Sequence, residues 1–189
     1  MTMPQEILYT LEDTFSWDEK ERTELIYGSP RMLAAPLRIH QEICREIILQ
    51  LGNYLKGKKC SVYSAPFAVR PFEQKGDLPR HVDTVVQPDI TVVCDPDKLD
   101  DIGCQGAPDL IMEILSPSTE RYDRLVKFNL YARAGVREYW IIDPQAKTAL
   151  SYFLEDGHYI PKEFGTAADK MPVTILENCI LDLSQIFAD

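Results

Sequence analysis

No C-x-x-C pair occurs in the 189 residues, and the five cysteines, at 44, 60, 94, 104 and 179, are odd in number and far apart. That spacing signals neither a zinc site nor a disulfide framework, so reduced and mostly buried thiols are expected. Long hydrophobic runs are missing too: stretches such as Tyr139–Ile142 fall far below the roughly 20 residues a spanning helix needs. The opening segment MTMPQEILYT lacks the basic and apolar regions of a signal peptide, and a cytoplasmic protein with no membrane association is expected. Nucleotide-cradling G-x-G-x-x-G and Walker sequences are absent, as is the G-x-S-x-G elbow of serine hydrolases. Basic residues are in deficit, with 20 Lys and Arg against 30 Asp and Glu for a formal charge of −10, which repels phosphate backbones at long range. Any polyanion site must be local. What remains is 45% hydrophobic and 26% charged, without repeats or linker-like stretches, which points to a single domain over 1–189 with a real core.

Periodicity places the elements. Ser16 to Thr23 opens with a capping residue and predicts a short helix, and Glu24–Gly28 with Arg31–Leu33 flank the turn formers Gly28, Ser29 and Pro30 as an N-terminal hairpin. Apolar residues at 39, 43, 47, 48, 51, 54 and 55 predict a helix from Leu37 to about Lys56. Cys60–Val69 reads as one strand or two short ones, and 71–82 as a polar loop. Asp83–Cys94 is β-branched and reads as a strand, with a bulge, edge or bend at Pro88 beside Asp89. After the polar connection Asp95–Ala107, a solvated loop without the glycine and glutamate of an EF-hand, Pro108–Leu115 is a largely buried strand that carries Glu113. A helix from Thr119 to Ala134 ends at Gly135, with Ser116 and Ser118 as its caps and Asp109 as a turn residue. Strand Glu138–Asp143 follows, then a C-terminal hairpin of Thr148–Leu154 and His158–Phe164, and a short packing helix over Ile180–Phe187. This order predicts an α/β (α+β) fold, a mixed central sheet flanked by helices.

Two strand carboxylates, Asp89 and Glu113, stand among residues that must be buried on at least one face, and buried charges need partners. If the strands are neighbours, both converge at one sheet end, where water and phosphate oxygens would complete the oxygen-rich shell that Mg²⁺ or Mn²⁺ prefers. Lys127 supplies a cation on the next helix, in phase with Asp123 and Tyr131. It would position the attacking water or neutralise charge in the transition state.

Gln87-Pro-Asp89, the run Ala107–Thr119, Asp123 with Lys127 and Tyr131, and Gly135–Pro144 together resemble the Uma-type family of bacterial restriction endonuclease-like proteins, assigned to the PD-(D/E)XK nuclease superfamily. Glu24–Gly28, His40 and Leu181–Leu183 extend the likeness over nearly the whole chain. The resemblance implies a restriction endonuclease-like fold and a Mg²⁺- or Mn²⁺-dependent endonuclease, a hydrolase of phosphodiester bonds in nucleic acid, DNA first. Asp89 matches the motif aspartate and Glu113 the acidic member of the (D/E)XK element, both as metal ligands. Leu115 stands where the superfamily lysine would be, and Lys127 matches the lysine position of the Uma-type pattern, completing a catalytic trio of Asp89, Glu113 and Lys127.

A purely structural account competes: an edge aspartate beside proline, and a glutamate neutralised by Lys127. The corresponding alternative function is a catalytically silent nucleic-acid-binding or protein-interaction module on the same fold. Auxiliary candidates are Gln87, on the strand face of Asp89; Glu46, on the first long helix, with Glu24 and Glu42 competing for the role; Tyr131; and His40, whose place in the apolar stripe favours a hydrogen-bonded core histidine. Lys56, Lys58, Lys59, Arg121, Arg124, Arg133 and Arg137 are expected to form a local phosphate-binding rim. The hairpin near 148–164 offers an interface for a homodimer whose two sites would face two strands.

Overall fold

Strand β7 (Leu110–Ile114) is buried along its whole length, because both faces of the sheet around it are covered. The structure, a computed structural model, describes residues 7–18 and 22–188. In chain order the other elements are α1 (Leu11–Thr14), β1 (Thr23–Ile26), β2 (Ser29–Met32), α2 (Arg38–Leu55), β3 (Ser61–Ser64), β4 (Ala68–Arg70), β5 (Ile90–Val93) and β6 (Gly103–Gln105) before it. After it come α3 (Glu120–Tyr122), α4 (Phe128–Ala134), β8 (Glu138–Asp143), β9 (Thr148–Glu155), β10 (His158–Thr166), β11 (Lys170–Pro172), β12 (Ile180–Asp182) and α5 (Leu183–Ile186). Six strands form the central sheet in the order β10-β9-β8-β7-β5-β3. Within this sheet, among the described residues, β7 and β8 alone pair in parallel, and the crossover between them is the helical stretch of residues 120–134. The expected mixed sheet flanked by helices is thus the observed architecture.

The two-residue alternation of β7 sorts its side chains between two cores. Leu110, Met112 and Ile114 face α2, which answers with Ile43, Ile47, Leu51 and Leu55, one residue per turn on a single stripe. Met171, Leu181, Leu183 and Phe187 of the C-terminal segment complete that layer. Ile111 and Leu115 face the other way, into a core with Leu130, Tyr131, Tyr139 and Ile141. Burying each such side chain stabilises by up to about 1.5–3 kcal/mol. Both hairpins turn through residues with positive φ, Tyr27 (50°) and Gly28 (79°) in the first, Asp156 (48°) and Gly157 (79°) in the second. Those angles at both central positions define the type I′ turn whose twist matches paired strands.

Four expectations need correction. The first helix lies at Leu11–Thr14 rather than within 16–23: Asp13 accepts the Thr10 main-chain N–H and hydroxyl, closing a capping box earlier in the chain, while Thr23 is already strand and 19–21 fall outside the described residues. Ser29 and Pro30 belong to strand β2, since Tyr27 and Gly28 alone make the turn. The final segment begins as strand β12, paired with β11, and only then turns helical. Cys60 and Cys94, expected as thiols, are joined by a disulfide. They are 34 positions apart, yet each extends the antiparallel register Ser61↔Val93 by one step, which sets them opposite each other. Cys44, Cys104 and Cys179 remain free, with Cys104 and Cys179 buried. Among the described residues, no helix is long and apolar enough to cross a membrane.

Candidate functional site

Pro88 sits where the chain changes partners. Before it, Val85 bridges to Leu25 and Val86 to Val69; after it, Ile90 enters the central sheet against Met112. A proline donates no ladder hydrogen bond, so the strand bends there as expected and Asp89 emerges at the bend. Continuing the register by one step places Asp89 opposite Glu113, with both side chains on one face. Asp89 Oδ2 accepts the Ile114 main-chain N–H at 2.8 Å and lies 3.0 Å from His40 Nε2. Its bonds all fall on that one oxygen, leaving Oδ1 without a protein partner among the described residues.

Glu113 is treated the same way. Its Oε1 accepts the Tyr131 hydroxyl at 2.7 Å and the Lys127 ammonium at 2.9 Å, and Oε2 has no protein partner among the described residues. Lys127 Nζ also lies 2.9 Å from Glu24 Oε1 and 3.9 Å from Asp123 Oδ1. The Gln87 main-chain N–H donates to the same Glu24 oxygen at 2.9 Å, while Glu24 Oε2 is buried and has no partner among the described residues. Asp123 and Lys127 bound a single π-helical segment, Asp123–Lys127, continuous with α3 and α4, an irregularity frequent at functional positions. The Tyr139 hydroxyl holds it by donating to the Asp123 main-chain oxygen at 3.1 Å.

Three carboxylates therefore surround one ammonium, with Asp89 a fourth acid on the same cavity. Burial raises the pKa of Glu113 well above the carboxylate range; Lys127 opposes this, and Asp89, Asp123 and Glu24 add to it. Burial likewise pushes Asp123 up to about 6, against the pull of Lys127. Burial works against the Lys127 charge, but Glu113, Glu24 and Asp123 outweigh it and hold the lysine protonated. The Tyr131 phenol, raised by burial and by Glu113, stays a donor. Asp89, Glu113, Asp123, Lys127, His40 and Gln87 all line one cavity of about 360 Å³.

Among the described residues no three His, Cys, Asp or Glu side chains come together closely enough to enclose a metal ion. Asp89 and Glu113 nevertheless fit a hard divalent cation. Each keeps a carboxylate oxygen free on a shared cavity, and the excess of acid over base around Lys127 is the charge such an ion would offset. Water and phosphate oxygens would supply the remaining ligands.

Most of the sequence candidates converge here. Glu24 and Tyr131 form a layer behind the cavity, holding Lys127 and Glu113 rather than facing solvent. His40 is hydrogen-bonded as expected, but to Asp89 at the cavity and not within the apolar core. Glu46 does not line the cavity: it accepts from Gln50, about one turn further along α2. Glu42 pairs with Arg38. The basic rim does not form either. Lys56, Lys58 and Lys59 follow the far end of α2, about 27 Å from its cavity end. Arg133 lies against the Tyr27 ring and Arg137 against Asp109, and Arg124 is held by Glu120 and Asp143; Arg121 and Arg124 stand on the helical stretch whose Asp123 and Lys127 line the cavity. The Ser116, Ser118 and Thr119 hydroxyls bond one another at the cavity edge instead of capping the helix. Asp100, expected in a solvated loop, instead pairs with buried Arg70. Arg22 was not anticipated: it lines the cavity and donates to Gln87 Oε1 at 3.2 Å, a tertiary contact across 65 positions that no local pattern announces.

Residues 11–184 match the model of Uma2, a family described as "Putative restriction endonuclease". The chain belongs to the Uma2 family. Among curated proteins, this Uma2 chain is similar to "Uncharacterized protein slr1290" of Synechocystis sp., with 28% identity over 123 residues, 64% of this chain and 60% of that protein, so it spans less than two thirds of that relative. Among solved structures it is similar to one described as a "putative nuclease belonging to DUF820" from Anabaena variabilis, with TM-score 0.72, 19% identity, and coverage of 95% of this chain and 98% of that one. The two share a fold. For Uma2 membership and fold the sequence reading holds.

Proposed function

We propose that the protein is a metal-dependent endonuclease that hydrolyses phosphodiester bonds of DNA, with Asp89 and Glu113 holding Mg²⁺ or Mn²⁺. The observation that carries this reading is the pairing of two carboxylates from adjacent strands, each with one oxygen free of protein partners on the same cavity. When bound, the ion would supply charge stabilisation and a more acidic water. Ile114 and His40 fix the Asp89 carboxylate, and Tyr131 with Lys127 fixes that of Glu113, so neither group reorganises when a phosphate arrives. Lys127, kept ammonium by its carboxylate neighbours, lines the cavity and offers its remaining donor capacity to the attacking water or to a phosphate oxygen. Gln87 and Arg22, which bond each other and line the same cavity, orient a phosphate. Burial withholds Glu113, Lys127 and Tyr131 from bulk water, which strengthens their electrostatic effect.

The test is nicking of supercoiled plasmid and of single-stranded circular DNA with Mg²⁺ or Mn²⁺ at low salt, for the wild type, Asp89→Asn, Glu113→Gln and Lys127→Ala. Metal-dependent cutting by the wild type alone, from folded variants, supports the reading. No cutting, together with calorimetry that detects no divalent-ion binding, favours the silent module, to which the −10 charge already lends weight.

A further inference from the structure

We infer that the substrate is an unpaired strand, one of whose bases is received by the apolar wall of the cavity beside the two carboxylates. This rests on the nuclease reading above and deepens it. Depth is the first ground. The side chain of Glu113 is 4% exposed and that of Asp89 18%, so the reacting phosphate has to descend to the floor of the cavity. The walls are the extended segment 33–37 and the turns at 116–119 and 144–145. A backbone pinned in a duplex by its partner strand is held away from such a floor, whereas an unpaired strand can fold in.

The lining is the second ground. Leu33, Ala35, Pro36, Leu37 and Ile39 make one wall apolar, and nothing in phosphate hydrolysis calls for such a surface. A base has apolar faces and a polar edge, and the Ser116–Thr119 hydroxyls and Gln145 stand where that edge would be met. The volume, about 360 Å³, falls within the range of small-molecule pockets and suits one nucleoside rather than a length of duplex. Charge is the third ground. A duplex binder typically neutralises roughly 6–10 phosphates, whereas here Arg22 and Lys127 are inside the cavity, Arg38 is paired with Glu42, and Arg124 with Glu120 and Asp143, which leaves few cations for a long backbone track.

The experiment compares Mn²⁺-dependent cutting of a labelled single-stranded oligonucleotide, its blunt duplex and a duplex with a single-stranded flap, with Asp89→Asn as control. A second arm moves one abasic nucleotide along the single strand. The expected result is cutting at least about tenfold faster on unpaired segments, and a KM raised about tenfold at the phosphate next to the abasic position. A blunt duplex cut as fast as the single strand, or an abasic scan without effect, overturns this inference and leaves the nuclease standing. If the wild type cuts none of the substrates, the nuclease reading fails and this inference with it.

Discussion

Glu113 and Glu138 are buried glutamates on the neighbouring parallel strands β7 and β8, one on each face of the sheet, and the protein treats them in opposite ways. Glu138 is satisfied on both oxygens: Oε1 accepts the Trp140 indole N–H at 2.7 Å and the Thr174 N–H at 3.0 Å, and Oε2 the Ile175 N–H at 2.8 Å. All its donors are neutral and none borders the cavity. It ties β8 to the segment before β12, a structural use of a carboxylate. Glu113 receives both of its donors on one oxygen, faces three further carboxylates, and presents the other oxygen to the cavity. Burial alone therefore does not mark a functional acid; burial with a free oxygen and uncompensated like charge does.

The comparison breaks first at Lys127. Lys127→Met leaves Glu24 and Glu113 buried without a cation, and is expected to destabilise the fold by about 3–5 kcal/mol in chemical denaturation. A loss below about 1 kcal/mol would mean that the carboxylates simply take up protons. Glu113→Gln sharpens the contrast, because it keeps an acceptor for Tyr131 while relieving repulsion among the acids. Unfolding free energy should change by less than about 1 kcal/mol, while the cleavage rate falls about 100- to 1000-fold. Glu138→Ala should do the reverse. It strands one indole and two main-chain N–H donors, at about 2–3 kcal/mol of stability, with the cleavage rate of the folded protein unchanged.

The sequence made Glu113 visible and left Glu138 unnoticed, for a physical reason. Glu113 interrupts an apolar run, where a charge is costly and announces itself, and Pro88 marks the bend that exposes Asp89. Glu138 opens its strand and looks like an ordinary end residue; its main-chain donors arrive from 36 and 37 positions away. The same limit hid Arg22 and the Cys60–Cys94 bond, both products of register between distant strands. Helical phase, in contrast, is local, and it sets Asp123, Lys127 and Tyr131 on one face without reference to any tertiary contact, though it does not announce the π-helical turn that holds the first two. Glu46 and the lysines after α2 miss the site because the cavity opens at only one end of that helix, while Arg133 and Arg137 are drawn off by Tyr27 and Asp109.

The smallest expected effect is on pH dependence. Burial raises the Glu138 pKa above its ordinary value of 4.5, against the pull of its N–H donors. A carboxyl whose folded pKa is raised binds its proton more tightly when folded, so its contribution is fully present below the unfolded pKa and is lost as pH rises through the folded one. Melting temperatures of the wild type and Glu138→Gln, followed upward from about pH 4, isolate this group, because the other carboxylates titrate in both proteins and cancel in the difference. The wild type should lose ground against the variant across that window and hold a constant offset beyond it. A difference that grows in the wild type's favour would show that the three N–H donors outweigh burial, and that Glu138 is held as a carboxylate throughout.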